Sequence, residues 1–117
     1  MSSKPKEPKE ILNKFLTGMK DLSSQEQHIE KSYEKLLKSV YDGTGNLDEK
    51  TKELISIGIA VHGGFETPIV YHVNQAFKAG AKEEEIIEAA LVAIVSGGLK
   101  SLASIVTTVK EAVEAFK

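Results

Sequence analysis

Residues 47–98 decide the fold of this chain: LDEKTKELISIGIAVHGGFETPIVYHVNQAFKAGAKEEEIIEAALVAIVSGG. Glycine-containing turns divide this stretch into three segments, at Gly63-Gly64, at Gly80 and at Gly97-Gly98. Glycine readily takes the left-handed backbone conformation in which helices commonly end, so each turn predicts the end of a helix. Asp48 is placed to cap the first of these helices, because its carboxylate can accept from a free backbone N–H of the first turn. The stretch therefore predicts three consecutive helices.

The other two helices of the stretch also have predicted starts. Thr67 followed by Pro68 predicts an N-cap and an early proline, whose missing N–H costs nothing there. The acidic run Glu83–Glu85 suits the positive end of a helix dipole. The first and third helices, with apolar bodies at 54–61 and 89–95, are apolar on nearly every side. Such helices lie in a core or a subunit contact, and two of them in one small domain predict a homo-oligomer.

The flanking sequence predicts three more helices. An apolar stripe from Pro8 to about Leu22 predicts the first, and Ser23 or Ser24 is the expected N-cap of the second, which ends at the turn cluster 42–46. A last amphipathic helix runs from Leu99 to Phe116. No segment predicts a β-strand, so we expect an all-α fold of six helices. Residues 1–6 are polar and charged and predict a disordered tail, which leaves 7–117 as a single domain.

Composition excludes several classes of function. Among 117 residues, 15 are basic and 17 acidic, and they are interspersed, so we expect no nucleic-acid partner. No apolar run approaches the roughly 20 residues of a membrane span, and no signal peptide is evident, so we expect a cytoplasmic protein without membrane contact. The chain has no cysteine and only three histidines, none in a metal-binding repeat. We expect neither a metal nor a cofactor.

One ordered set of short motifs is similar to a known family. The motifs are L-D-x-K-T-K-E-L-I, a helix that opens with x-x-Y-H, then A-G-A-x-x-E-E-I-x-E-A and a closing G-G. Their order and spacing resemble the carboxymuconolactone decarboxylase-like family, which includes alkyl hydroperoxidase D (AhpD). The resemblance implies an AhpD-like helical fold and a homotrimer or homohexamer.

The peroxidase branch of this family carries the pattern E-x11-C-x-x-C-x3-H, in which a Glu–His proton relay activates two thiols. Laid on this chain, the pattern places its acid at Glu53 and its histidine at His72, and its two cysteines at Phe65 and Pro68. A peroxidase of this type needs a thiolate, and neither phenylalanine nor proline can supply one. The resemblance therefore implies the fold and the location of the site, while the missing thiols argue against peroxidase activity.

The decarboxylase branch also lacks the cysteine pair and is the better guide. Its reaction removes CO2 from a lactone carboxylic acid, which requires an enolate to be stabilised and then protonated. The resemblance thus implies acid–base chemistry on a small carboxylate or lactone, as in a carboxy-lyase. The chain has no arginine, so an anion would have to be held by lysine or by helix N-termini. The alternatives are a non-catalytic binding or structural oligomer and, disfavoured, a thiol peroxidase.

Each candidate residue also has a purely structural interpretation. Glu53 and His72 are the expected acid–base pair, but Glu53 suits a helix start in any case, and a histidine on an apolar helix face is often a core residue. His62 and Tyr71 are expected to line the pocket, and Phe65 to fill it with apolar bulk. If Glu53 and His72 lie within hydrogen-bond distance, they form a proton relay, and if they lie apart, the catalytic interpretation fails.

Overall fold

The computed structural model describes residues 7–117, apart from the side chain of Gln27. The disordered tail predicted at residues 1–6 lies outside the described residues. The helices are α1 (Pro8–Gln25), α2 (Gln27–Tyr41), α3 (Glu49–Gly63), α4 (Glu66–Lys78), α5 (Glu83–Val92), α6 (Ile94–Ser104), a π-helical segment (Ile105–Val109) and α7 (Lys110–Phe116).

The all-α prediction is confirmed, and the six predicted helices are recognisable. The predicted last helix corresponds to α6, the π-helical segment and α7, which follow one another without a gap. The break predicted at Gly97-Gly98 lies inside α6, where Gly98 has φ 58° and ψ −139°. Since Ala93, between α5 and α6, keeps helical angles, the backbone first departs from helical geometry at Gly98. A residue with a side chain would be strained at that positive φ.

The N-cap of α3 and the glycines at the ends of α3 and α4 are as predicted. The Asp48 carboxylate accepts a hydrogen bond of 2.8 Å from the backbone N–H of Thr51, which caps α3. Gly64 ends α3 with φ 77°, and Gly80 follows α4 with φ 91°. These contacts fix where α3 starts and where α3 and α4 end, and therefore which side chains the two helices direct toward each other.

The N-cap predicted at Ser23 or Ser24 is wrong. The hydroxyls of Ser23 and Ser24 donate backward to the carbonyls of Lys20 and Asp21, at 2.9 and 2.7 Å, so they belong to the last turns of α1. The chain bends only at Glu26. Serine hydroxyls can bond to a preceding carbonyl as readily as they cap a following helix, and here the first arrangement is adopted.

Thr67 is also not a cap. The α4 helix begins two residues earlier than predicted, at Glu66, and its N-cap position is Phe65, which makes no side-chain cap bond. Thr67 and Pro68 therefore lie within the first turn. The proline is tolerated there because the first-turn N–H groups have no partner inside the helix.

The α3 helix lies at the centre of the packing. It contacts α4, α5 and α6, while α1 pairs with α2 and packs on α4 and α7. The side chains that are fully buried come from α3, α4, α5 and the last helical run, and the largest of them are Ile57, Ile69, Ile86, Val61, Val70, Val73, Val109 and Val113. Among these apolar groups lies one charged residue, Glu53, which is 2% exposed.

Two apolar surfaces remain uncovered in the single chain. The α3–α6 face consists of exposed side chains of α3, α5 and α6, and its members are Ile55, Ile59, Val92, Val95 and Leu99. A groove of about 520 Å³ runs along this face. The apolar side of α2 is also exposed, at Ile29, Tyr33, Leu36 and Val40. The two helices predicted to lie in a core or a subunit contact therefore each keep an exposed apolar side in the single chain. Within residues 7–117, no helix is both long and apolar enough to cross a membrane.

Candidate active site

Glu53 is directed into the core by the position at which α3 starts. The Asp48 cap sets that start, and Glu53 falls one turn later on the side of α3 that faces α4. Its side chain is 3% exposed. A carboxylate removed from water this completely needs a donor, because an unpaired buried charge is strongly unfavourable.

His72 supplies that donor from α4. Its Nδ1 lies 2.8 Å from Oε1 of Glu53. A carboxylate can only accept a hydrogen bond, so Nδ1 carries the proton and donates it. In the neutral ring this leaves the lone pair on Nε2, at the other end of the imidazole. The His72 side chain is 17% exposed, so the pair joins a buried acid to a base that reaches solvent.

Two tyrosines surround the imidazole. The ring centroid of Tyr71 lies 5.1 Å from that of His72, edge to face, and the ring of Tyr41 lies 6.0 Å away. The Tyr41 hydroxyl is hydrogen-bonded to Oγ of Ser56, and Ser56 donates to the carbonyl of Lys52 at 3.0 Å. Because the single Ser56 proton goes to that carbonyl, Tyr41 is the donor to Ser56. These contacts hold the imidazole between two aromatic rings.

Both tyrosines are held in the neutral form. Burial is the main reason that the pKa of Tyr71 lies above its ordinary value, and the nearby charge of Glu53 adds to the effect. Burial is also the main reason that the pKa of Tyr41 is raised, and the charge of Glu53 reinforces the effect. At neutral pH both hydroxyls can therefore donate hydrogen bonds but cannot serve as bases.

The three residues predicted to line one pocket lie in three places. His62, at the end of α3, lines the groove of the α3–α6 face, and its Nδ1 is 3.2 Å from Oγ of Ser96. Tyr71 lines a separate groove of about 280 Å³ between α1, α2 and α4. Phe65 is 71% exposed, so it does not fill a cavity of this chain, contrary to expectation. The reason is that Phe65 precedes α4 as its N-cap residue instead of lying on an inward helix face.

The family model for the carboxymuconolactone decarboxylase family matches residues 27–111. The chain belongs to this family. The match takes in α2 through the π-helical segment and therefore includes both Glu53 and His72. No curated protein matches the sequence.

Two solved structures are similar to the whole fold or to most of it. One is the apo form of a carboxymuconolactone decarboxylase family protein from Legionella pneumophila, with 28% identity over 93% of each chain and a TM-score of 0.81. The other is a protein from Thermotoga maritima, with 33% identity over 73% of this chain and 76% of that one, and a TM-score of 0.64. The helical arrangement is therefore that of the family.

The sequence predicts the acid, the histidine and Tyr71 as site residues, but it does not predict Tyr41. Tyr41 is the last residue of α2, and nothing in its local sequence indicates that it reaches Ser56 on α3. Ser56 could have been found, since it lies three residues after Glu53 on the same helix face. Within the described residues, no three His, Asp or Glu side chains cluster closely enough to hold a metal ion.

The charge of Glu53 should be measurable through its tyrosine neighbours. In a Glu53→Gln variant the negative charge that opposes tyrosinate formation is gone, so the pKa of Tyr41 and that of Tyr71 should both fall. Burial remains, so both should stay above the ordinary value of about 10. Carbon-13 NMR of tyrosine-labelled protein follows each ring separately. Glu49→Gln, an exposed acid on the same helix, is the control and should leave both unchanged. Unchanged tyrosine pKa values in Glu53→Gln would contradict the geometry.

Proposed function

We propose that this protein catalyses proton transfer next to a carbonyl group of a small carboxylate or lactone, with His72 as general base and acid. Decarboxylation is the reaction of this type that the family name suggests. The observation that carries the proposal is the 2.8 Å contact between Oε1 of Glu53 and Nδ1 of His72. It is supported by the difference in exposure between the buried acid and the more accessible imidazole.

The role of Glu53 follows from which atoms it contacts. By accepting from Nδ1 it fixes the tautomer and the direction of the ring, and its charge stabilises the imidazolium that forms when Nε2 gains a proton. Glu53 itself is too deeply buried to meet a substrate. It is therefore the positioning residue, and His72 is the residue that contacts the reacting atoms.

The proposed steps balance without a cofactor. In decarboxylation the bond between the carboxylate carbon and the neighbouring carbon breaks, CO2 leaves, and the electron pair passes to the adjacent carbonyl to give an enolate. The imidazolium of His72 then gives its Nε2 proton to that carbon, which leaves the neutral ring, and a proton taken up from water restores the imidazolium for the next turnover. In proton exchange, Nε2 first removes the proton from that same carbon. The neutral tyrosines cannot replace His72 as the base.

A thiol peroxidase is not proposed, because the chain has no cysteine to attack a peroxide.

A second candidate function is a binding or structural oligomer of the same fold. The observation that favours it is the α3–α6 face, on which Val95 is 92% and Leu99 81% exposed. Apolar surface of this extent marks a contact with another protein. A trimer or hexamer of this chain would cover it, whether or not the protein is an enzyme.

The chemistry is tested by carbon-bound hydrogen exchange and CO2 release in D2O, with a panel of small lactone carboxylates followed by NMR. Wild-type protein should accelerate at least one reaction over buffer. His72→Ala should lower kcat by about 10²-fold or more, the usual contribution of a general acid–base group. Glu53→Gln should lower kcat less, since it keeps an acceptor for Nδ1 but removes the charge.

Matched controls are His28→Ala and Glu49→Gln, both of which alter exposed side chains and should leave the rates unchanged. Full activity in His72→Ala would contradict the assignment. Turnover of cumene hydroperoxide with a dithiol reductant above background would contradict the exclusion of peroxidase chemistry. A stable oligomer inactive toward the whole panel would instead support the binding or structural function.

The oligomer has its own test. Light scattering after size exclusion should show several chains per particle for the wild type. Val95→Glu should give single chains, because it puts a charge at the most exposed apolar position, and a charge cannot be buried there without a partner. Lys110→Glu, which changes charge at an exposed site on α7, is the control and should keep the wild-type mass. A wild-type protein that stays monomeric would show that the α3–α6 face is not a contact between copies.

A further inference from the structure

The groove between α1, α2 and α4 has walls unlike those of the α3–α6 groove. It is lined by the aromatic rings of Phe15, Tyr33 and Tyr71, which come from three different helices. Phe15 meets Tyr71 edge to face, with ring centroids 5.8 Å apart. The volume of about 280 Å³ is near the lower limit for small-molecule pockets. The groove is therefore suited to a ligand of few atoms with at least one apolar part.

One polar group of this groove lacks a partner. Oε2 of Glu30 is shielded from solvent and makes no hydrogen bond within the described part of the chain. An unpaired, desolvated carboxylate oxygen is costly, and buried carboxyl groups nearly always have a donor. Lys20 lines the same groove, but its ammonium forms no ion pair with Glu30 in this structure. Among the side chains that the structure describes, none provides a donor for this oxygen.

The charge of the groove indicates which donor fits. Glu30 and Glu34 contribute two carboxylates against one ammonium from Lys20, so an anion is disfavoured. Aromatic faces attract cations through their quadrupoles, and three aromatic rings line the groove. A protonated amine satisfies both features, because it carries positive charge and donates N–H bonds.

We propose that this groove binds a primary ammonium ion carried on a small apolar group, with Glu30 as its counter-ion. The ammonium donates to Oε2 of Glu30, and the apolar group packs against Phe15, Tyr33 and Tyr71. The site uses neither Glu53 nor His72. It therefore stands independently of the proposed proton-transfer chemistry, although the Tyr71 ring contacts both the groove and the imidazole of His72.

The test compares 2-phenylethylammonium with 2-phenylethanol, which has the same shape without the charge. Titrations of wild-type protein are followed by NMR through the Tyr33 and Tyr71 ring signals. The ammonium should bind at least about tenfold more tightly than the alcohol, as expected for one charged hydrogen bond with cation–π contacts. Glu30→Gln should abolish this preference, while Glu10→Gln, at an exposed position of α1 outside the groove, should keep it.

Three outcomes would overturn the proposal. The first is equal binding of the two probes by the wild-type protein, a result that does not depend on whether any variant folds. The second is a preference that survives Glu30→Gln with an intact amide spectrum. The third is ammonium binding that appears only in Lys20→Gln, because Lys20 would then be the natural partner of Glu30. None of these results bears on the activity of His72, so the two proposals can fail separately.

Discussion

A carboxylate that is removed from water must be given a partner, and the contact between Glu53 and His72 meets this requirement at the centre of the molecule. The α3 and α4 helices carry most of the large core side chains, and they face each other across this one polar pair. The caps and turns around them serve to hold that register. Asp48 fixes where α3 begins, and Gly64 reverses the chain so that α4 returns alongside it. A shift of one residue in the register of α3 against α4 would turn Glu53 away from His72 by about 100°, more than a quarter of a turn.

The same pair connects the fold to the proposed chemistry. In the peroxidase branch of the family, an acid and a histidine at these positions serve two thiols that this chain lacks. Here the acid–base pair remains without a redox centre, and the rings of Tyr41 and Tyr71 enclose the imidazole. Burial and the charge of Glu53 raise the pKa values of Tyr41 and Tyr71, so neither phenol can act as a base at neutral pH. The site therefore keeps the acid and the histidine of the peroxidase pattern and lacks its two thiols.

Much of this arrangement could be predicted from sequence, and what could not be predicted has identifiable physical causes. Turn glycines with positive φ and an aspartate N-cap are determined locally, so the ends of α3 and α4 were predicted well. The serine and threonine N-caps were not predicted correctly, because a hydroxyl bonds almost equally well to a preceding carbonyl or to a following N–H. Phe65 lies outside the core because α4 begins two residues before its predicted start. The contacts of Tyr41 with Ser56, and of Tyr71 with the groove, depend on how helices distant in sequence pack together.

Glu53 accepts a hydrogen bond from the protonated Nδ1 of His72, which leaves Nε2 free to act as a base in the proposed reaction. Nitrogen-15 NMR of histidine-labelled protein tests this directly, because the two ring nitrogens of a neutral imidazole have well-separated shifts that report which one is protonated. We expect neutral His72 to carry its proton on Nδ1 and the exposed His28 to show the mixture of tautomers that is typical of a solvated ring. A neutral His72 with its proton on Nε2 would contradict this geometry, because Nδ1 would then have no proton to donate to Glu53.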